Sequence, residues 1–248
     1  MTDYQYPGEE LDLFAHANNW KSYFASLLRP YIGGDVLEVG AGIGATTRTL
    51  FNESVDSWVA LEPDAELAAR FRIATSDMRP IPECIDGTLD GLDASLRFDT
   101  ILYIDVLEHI ADDKSELRNA AKHLSPGGAL IVLSPAFPSL YSEFDRALGH
   151  ERRYTARSLA SVFPDGLSQA ALFYADSLGA LLSLGNRFGT RQEKPKASQI
   201  QLWDRVVIPI SRFIDPIIGR SAGRSVIAVY RRPAVAAAHA VSLGGSQV

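Results

Sequence analysis

The sequence predicts one α/β domain with a doubly wound, mostly parallel β-sheet of the seven-stranded type and helices on both faces. Short apolar segments alternate with stretches of helical periodicity, the pattern that a parallel sheet covered on both faces produces. A glycine-rich turn follows the first apolar segment, as expected where a strand leads into a ligand-binding helix. The chain has 248 residues, of which 46% are hydrophobic and 22% charged, and this composition suits one globular domain.

Local patterns place the elements of the first half of the chain. Residues 10–28 have the apolar spacing of a helix, with a break at Asn18 and Asn19, and Pro30 ends the pattern. We predict strands at 35–39, 57–61, 81–85, 100–104 and 128–133, and helices at 46–51, 65–73 and 114–124. Because strands and helices alternate, these segments form βαβ units.

The alternation becomes irregular after the fifth strand. We predict a helix at 156–162, a strand at 170–174, a helix at 176–184, a mobile basic loop at 185–198, an apolar amphipathic segment at 203–218 and a last strand at 225–230. Pro209 and Pro216 interrupt the amphipathic segment. The final residues, rich in Ala, Gly and Ser, are typical of a disordered tail.

Charge and cysteine content exclude several classes of protein. The net charge of −6 argues against a duplex-DNA-binding protein with a general basic field, so no nucleic-acid partner is expected. Cys84 is the single cysteine, which excludes an internal disulfide and a multi-cysteine zinc site. The acidic N-terminus does not resemble a secretory signal, and no apolar run reaches the roughly 18 residues of a membrane span. We therefore expect a cytoplasmic location.

The glycine-rich turn lies in the segment VLEVGAGIGATT. Gly40, Gly42 and Ala45 satisfy the dinucleotide pattern G-x-G-x-x-G/A. Glu38 and Gly44 complete a second pattern, E-x-G-x-G-x-G, with the same first two glycines. The glycine spacing alone leaves both ligand classes open.

Of three further features, two favour the second pattern, and the third, Glu62, supports an adenosyl ligand in either pattern. Glu38 would crowd a pyrophosphate, whereas it suits a ligand with an amino-acid ammonium group. Glu62, in LEPDAE after the second predicted strand, can accept hydrogen bonds from both hydroxyls of a ribose, which either ligand class requires. The segments YIDVLEHI and LSPGGALIVLSP follow in order. With these motifs, residues 20–160 resemble the class I S-adenosylmethionine-dependent methyltransferase family.

The resemblance implies a Rossmann-like methyltransferase fold that binds S-adenosyl-L-methionine and releases S-adenosyl-L-homocysteine. The residues that match the family's cofactor site are Glu38, Gly40, Ala41, Gly42, Gly44, Glu62, Pro63, Asp86, Gly87, Asp105 and Val106. Two of them have an alternative interpretation. Asp86 either contacts the adenine or is a turn aspartate before a glycine, and Asp105 either flanks the cofactor or caps a short helix.

The sharpest candidate for chemistry is His150, in GHERRY just after the fifth predicted strand. This segment resembles a D-x-x-x-G-H-x-R-R-Y pattern in a subgroup of the family. His150 would be the general base for a hydroxyl acceptor. The candidate acceptor-binding residues are Trp20, Tyr141, Asp145, Arg152, Arg153 and Tyr154. In the alternative interpretation, Asp145 and an arginine form an ion pair that only holds the loop.

The remaining histidines and acidic pairs are weaker candidates. We expect His16 and His239 to face solvent, His123 to lie on the surface, and His109 to have a structural role near the cofactor. Asp112 and Asp113 are adjacent, and we expect them to lie in a solvated turn. No third metal ligand is apparent beside them, so no metal site is expected.

We divide the chain into one methyltransferase domain, 1–233, and a tail, 234–248. Within the domain, 1–34 is a helical cap, 35–134 the cofactor-binding core, 135–175 the acceptor-side segment, 176–224 a helical insertion and 225–231 the last strand. The insertion has two interpretations. It is either a lid over the acceptor or an amphipathic surface for a membrane or a lipid-linked substrate, which would make the protein membrane-peripheral.

The predicted activity is methyl transfer to a small-molecule or a sugar- or lipid-linked acceptor, at oxygen. One rival is an NAD(P)-dependent oxidoreductase on a similar fold. The other is a cofactor-binding scaffold without catalysis.

Overall fold

The structure is a computed structural model that describes residues 10–189 and 197–234. Its centre is a seven-stranded sheet with the order β3-β2-β1-β4-β5-β7-β6. The strands are β1 (Gly34–Val39), β2 (Val55–Glu62), β3 (Glu83–Asp86), β4 (Phe98–Ile104), β5 (Leu124–Pro135), β6 (Ser168–Ala175) and β7 (Ser225–Arg231). Strand β7 is antiparallel to both of its neighbours, and the other pairs are parallel. The predicted fold class is confirmed.

Helices cover both faces of the sheet. They are α1 (Glu10–Ala15), α2 (Asn18–Leu28), α3 (Ala45–Leu50), α4 (Ala65–Thr75), α5 (Asp113–Lys122), α6 (Glu143–Ala147), α7 (Ala156–Ala160), α8 (Ser177–Gly189), α9 (Ala197–Leu202) and α10 (Ile208–Ile217). A π-helical turn, Trp203–Val207, joins α9 to α10. Within the described residues, no helix combines the length and the apolar character needed to cross a membrane.

Alternate strand side chains enter two separate cores. Val36 and Leu102 pack with α2 and α10 on one face, whereas Leu37 and Ile101 pack with α5 and α7 on the other. This alternation is what the two-residue period of a strand produces. The continuous apolar strands seen in the sequence therefore fill both cores.

The topology places a crevice beside β1. The chain runs outward from β1 to β2 and β3, then crosses to β4 on the other side of β1. The carboxyl ends of β1 and β4 are adjacent, with Val39 opposite Tyr103. Parallel α/β sheets bind ligands at such a point, where the strand order reverses.

Distant contacts explain one difference from the predicted elements. The break in the first helix lies before Asn18, because α2 begins there. The Asp204 carboxylate, far away in the sequence, accepts hydrogen bonds from the backbone N–H groups of Asn19 and Trp20. A tertiary contact thus supplies the cap that the local sequence lacks.

The insertion is more helical than its sequence suggests. Residues 185–189 continue α8 and residues 197–198 begin α9, so the prediction of a loop at 185–198 was wrong for these ends. Residues 190–196 lie outside the described residues, as do 235–248 of the predicted tail. Pro209 is tolerated because it lies in the first turn of α10, where its missing N–H costs no helical hydrogen bond.

Candidate active site

A cleft of about 950 Å³ lies where the carboxyl ends of the central strands meet. Segments that follow four neighbouring strands form one wall, and α1, α2, α6 and the π-helical turn contribute to the others. Eight of the predicted cofactor residues line it: Gly40, Ala41, Gly42, Glu62, Pro63, Gly87, Asp105 and Val106. The predicted residues Trp20, Asp145, His150 and Arg153 line the same cleft.

The glycine turn leaves no room for a side chain at Gly40. Its φ of +70° favours glycine, and an added Cβ would lie 2.6 Å from Cγ2 of Val106. The turn is held by Glu62, whose Oε2 accepts the Gly42 N–H at 2.7 Å and whose Oε1 accepts the Asp64 N–H at 3.0 Å. Burial raises the pKa of Glu62. The turn and this carboxylate therefore form one unit on the cleft wall.

Three other predicted cofactor residues do not line the cleft. Glu38 lies behind the turn, where its carboxylate accepts hydrogen bonds from Thr47 and from Nε1 of Trp58. Gly44 caps the start of α3 with a φ of +79°. Asp86 is exposed and forms an ion pair with Arg72 on α4. In this structure Glu38 and Gly44 support the turn from behind, and Asp86 holds the end of β3.

Asp105 has an unusual backbone at the carboxyl end of β4. Its φ of +54° lies in the left-handed region, which is uncommon for a residue with a side chain and is often found at functional sites. The cap of the following 3₁₀ turn is Val106, so Asp105 is not the helix cap of the alternative interpretation. Its side chain is open to the cleft, and desolvation by the protein around the cleft raises its pKa to about 6.

On the opposite side, His150 is held by a buried carboxylate. Its Nδ1 lies 3.0 Å from Oδ1 of Asp145. Arg153 donates to both carboxylate oxygens of Asp145, at 2.7 and 2.9 Å. Although burial opposes ionisation, these hydrogen bonds hold the pKa of Asp145 well below its usual range. The ion pair of the alternative interpretation exists, and it also fixes the orientation of the histidine ring.

A second histidine and a buried glutamate lie beside His150. The ring of His109 meets it edge-on, with 4.6 Å between ring centroids, and burial followed by the charge of His150 lowers the pKa of His109 to about 4. Glu108 is fully buried, and its Oε2 accepts a hydrogen bond from Ser134 whereas its Oε1 has no partner. One ligand atom from each of these two residues and one from His150 lie within 4.8 Å of one another. Sequence patterns singled out His109 and His150 separately but not Glu108, nor the proximity of the three residues.

The other predicted acceptor residues do not line the cleft. Tyr141 donates to the backbone oxygen of His150 at 2.6 Å, and so supports the loop. Arg152 and Tyr154 both bind the carboxylate of Asp113, at 2.7 and 2.8 Å. Asp113 is consequently buried, and the prediction that it belongs to a solvated turn was wrong.

His123, expected on the surface, is also buried. Its Nδ1 lies 3.1 Å from the backbone oxygen of Leu96. His16 is exposed, as predicted, and His239 lies outside the described residues.

Two cleft residues that the sequence did not indicate come from the insertion and its end. The guanidinium of Arg224 lies over the ring of Trp203, 5.1 Å from the centroid. Trp203 donates from Nε1 to Asp176 at 2.8 Å. Burial lowers the pKa of Arg224, and the charge of Asp176 opposes this change. Aromatic and apolar side chains line much of the remaining wall, namely Leu11, Phe14, Trp20, Phe24, Phe144 and Leu148.

The chain matches known methyltransferases over its central part. Residues 37–130 match the model of a family described as "Methyltransferase domain". Over 112 residues the chain is 33% identical to a ubiquinone biosynthesis O-methyltransferase of Azorhizobium caulinodans. This aligned region is 44% of this chain and 43% of that protein. Over 126 residues the chain is 30% identical to a demethylmenaquinone methyltransferase of Tropheryma whipplei, covering 50% and 52%. The matches thus span about half the length of these curated relatives.

Solved structures match almost the whole fold. A chain from the complex between the Haloferax volcanii Trm112 methyltransferase activator and a methyltransferase has a TM-score of 0.63 at 18% identity, covering 92% of this chain and 96% of that one. N-methyltransferase NodS from Bradyrhizobium japonicum WM9, in complex with S-adenosyl-L-homocysteine, has a TM-score of 0.55 at 16% identity, covering 87% and 86%. At these identities the likeness concerns the fold alone. Residues 37–130 thus match a methyltransferase domain, and the sheet that contains them has the fold of the solved methyltransferases.

Proposed function

We propose that the protein transfers a methyl group from S-adenosyl-L-methionine to a hydroxyl oxygen of its acceptor and releases S-adenosyl-L-homocysteine. The proposal rests on one observation, that residues suited to bind a cofactor and residues suited to accept a proton line the same cleft. The glycine turn with Glu62 forms one side, and His150 on its buried carboxylate forms the other.

The residues on the first side fit an adenosyl ligand with an amino-acid end. The backbone of Gly40 and Gly42 lines the cleft directly, without side chains that would stand between it and a ligand. Glu62 can accept hydrogen bonds from ribose hydroxyls with the lone pairs that its two backbone contacts leave. Asp105 lies where its carboxylate can meet an ammonium group. We assign this role to Asp105 instead of Glu38, because Glu38 faces away from the cleft.

The residues on the second side fit deprotonation of a hydroxyl. When bound, the cofactor supplies a methyl group that a positive sulfonium already activates. The protein therefore has to position the acceptor and accept its proton. Asp145 orients the ring of His150 through Nδ1, which leaves Nε2 to accept that proton. Arg153 keeps Asp145 ionised, so that the carboxylate can stabilise the resulting imidazolium.

The walls of the cleft suggest the class of acceptor. Much of the surface near Trp20, Phe144 and Trp203 is aromatic, while Arg153 and Arg224 supply positive charge. A small molecule with an apolar body and a polar or anionic end suits this combination, either free or linked to a lipid. The names of the quinone-pathway relatives are consistent with such acceptors.

Calorimetric titration of S-adenosyl-L-methionine, S-adenosyl-L-homocysteine and NAD tests the cofactor assignment. We expect both adenosyl-sulfur ligands to bind and NAD not to bind. Glu62→Gln should weaken binding of S-adenosyl-L-homocysteine by roughly 10- to 100-fold, because hydrogen bonds to a charged group contribute about 1.5–3 kcal/mol.

Glu66→Gln is the matched control, because Glu66 is an exposed acid on the neighbouring helix α4 and does not line the cleft. Its affinity for S-adenosyl-L-homocysteine should equal that of the wild type. Binding of NAD alone would replace the proposal with the oxidoreductase. Tight binding of the adenosyl ligands without turnover of any hydroxyl acceptor would favour the scaffold.

A further inference from the structure

We infer that the outward side of the insertion docks on the surface of an anionic membrane. Twelve large hydrophobic side chains are exposed in the described residues, and nine of them lie in this one region. We call these nine the outer face: Leu181, Leu182, Leu184, Leu202, Val206, Ile210, Phe213, Ile217 and Ile218. Helices α8 and α10 pack against each other, so their exposed side chains belong to one neighbourhood. Concentrations of apolar surface on this scale mark interaction sites.

Helix α10 and its preceding turn bury Val207 and Ile208, but their polarity is otherwise inverted relative to an ordinary surface helix. Three polar residues point inward: Asp204, Ser211 and Asp215 are all buried. The apolar Phe213 and Ile217 point outward, with 74% and 71% of their surfaces exposed. A helix that covers a core normally shows the opposite arrangement.

Hydrogen bonds lock this inversion in place. The carboxylate of Asp215 accepts from Tyr23 at 2.6 Å and from the backbone N–H groups of Asp176 and Ser177 at 2.8 and 3.0 Å. Asp204 caps α2 in the same way. Rotation of the helix to bury Phe213 would leave these carboxylates without partners, which is costly inside a protein. The apolar side therefore stays available to a partner.

The charge of the region selects a lipid surface. The described residues 197–220 contain three arginines and two acids. Both acids, Asp204 and Asp215, are buried. Arg205 and Arg212 are exposed among the apolar side chains. Apolar side chains interleaved with arginine are the composition of a helix that lies in the interface of an anionic bilayer.

A second copy of the chain is a poorer occupant. In a symmetric dimer the same patch meets itself, so Arg205 and Arg212 of one copy would face the arginines of the other. An anionic lipid surface offers those charges a complement and offers the apolar side chains the hydrocarbon boundary.

The position of this surface connects it to the cleft. Trp203 lines the cleft, whereas Leu202 and Val206 on the same helical run belong to the outer face. Docking would place the acceptor side of the cleft beside the lipid. This last step rests on the proposed function and implies an acceptor that is dissolved in the bilayer or anchored to it.

Vesicle flotation tests the docking without cofactor or acceptor, so its outcome is independent of methyl transfer. We expect the full chain to float with phosphatidylcholine vesicles that contain phosphatidylglycerol, and to bind pure phosphatidylcholine more weakly. The double variant Phe213→Ser/Ile217→Ser should lose at least about tenfold in vesicle affinity, because two large apolar side chains no longer enter the interface. Arg205→Gln/Arg212→Gln should remove the preference for phosphatidylglycerol.

Ile73→Ser is the matched control, since Ile73 is 77% exposed but lies on α4, outside the outer face. It should float like the wild type. Unchanged melting temperatures and binding of S-adenosyl-L-homocysteine show that each variant is folded. Failure of the wild type to float overturns the inference, and so does equal flotation of the Phe213/Ile217 variant. A dimer in solution that this variant converts to a monomer, without vesicle binding, would identify the surface as a self-association interface.

Discussion

The two sides of the cleft are built in different ways. On the cofactor side, the turn at Gly40–Gly44 and the acid Glu62 lie at the ends of neighbouring strands. The shape of this side is set mainly by backbone conformation and by hydrogen bonds to the backbone. On the acceptor side, His150, Arg153 and Arg224 come from loops, and side chains hold one another. Proteins that share a fold can keep the same cofactor site at the end of the sheet, while their loops differ and bind different acceptors. The cofactor side accordingly follows the glycine motif, whereas on the acceptor side the pattern from Asp145 to Tyr154 leaves out Arg224.

The largest expected effect comes from breaking the cofactor side at Gly40. Gly40→Ala adds a Cβ that lies 2.6 Å from Val106 and forces alanine to a φ of +70°. Strain and overpacking of about 2–5 kcal/mol should lower affinity for S-adenosyl-L-homocysteine roughly 30- to 5000-fold in calorimetry.

Gly91→Ala is the control, because nothing lies within 4 Å of its added Cβ. Adding Val106→Ala to Gly40→Ala should recover part of the loss, since it removes the clash but not the backbone strain. Wild-type affinity in Gly40→Ala alone would contradict the role of the turn.

The second-largest effect is expected from a substitution on the acceptor side that leaves the cofactor side unchanged. His150→Ala should lower kcat by roughly 100-fold, because the general base is lost, while affinity for S-adenosyl-L-homocysteine stays unchanged. His16→Ala, at an exposed position, should match the wild type in both measurements. An unchanged kcat would remove His150 as the base.

Removal of metal ions with a chelator distinguishes a role of His150 as a general base from a role as a metal ligand. If His150 acts as a base through the Asp145 contact, dialysis against EDTA should leave kcat unchanged. Loss of activity that a divalent cation restores would mean that Glu108, His109 and His150 act as metal ligands, which their separation of at most 4.8 Å permits.

The smallest effect concerns Glu38, which supports the cofactor turn from behind. Burial raises its pKa from 4.5 to about 7. Between these values the folded chain holds a proton that the unfolded chain has released. The free energy of unfolding therefore falls as pH rises through this range, by about 2 to 3 kcal/mol, and levels off above about pH 8.

Glu38→Gln lacks this titration. Urea unfolding of both proteins at several pH values between about 5 and 8 should show the variant gaining stability relative to wild type as pH rises. A difference between the two proteins that does not change with pH would show that Glu38 is ionised throughout.

Sequence patterns predicted those parts of the fold that depend on residues close together in the sequence. The alternation of apolar segments located β1 to β5, and glycine spacing located the turn, because backbone conformation at Gly40 depends on nearby residues. Glu38 was assigned to the ligand from its place in a motif. Its side chain direction depends on Thr47 and Trp58, and a motif does not encode such contacts.

The acceptor side was predictable only where its contacts are close in sequence. Asp145, His150 and Arg153 lie within a segment of nine residues, so their association could be inferred. Arg224 and Trp203 reach the cleft from separate elements, and their meeting depends on tertiary packing. The unpaired Oε1 of Glu108 is likewise a property of burial that composition does not reveal.

The contact between Tyr23 and Asp215 has a consequence for the order of folding. These residues are 192 positions apart, and the cap that Asp204 gives to α2 spans a similar distance. During synthesis, α2 has to wait for almost the whole chain before its partners leave the ribosome. The wall that α2 contributes to the cleft is therefore a late event in biogenesis. Nascent chains that stop short of the insertion are left with an undocked amphipathic helix, which is a natural target for chaperones.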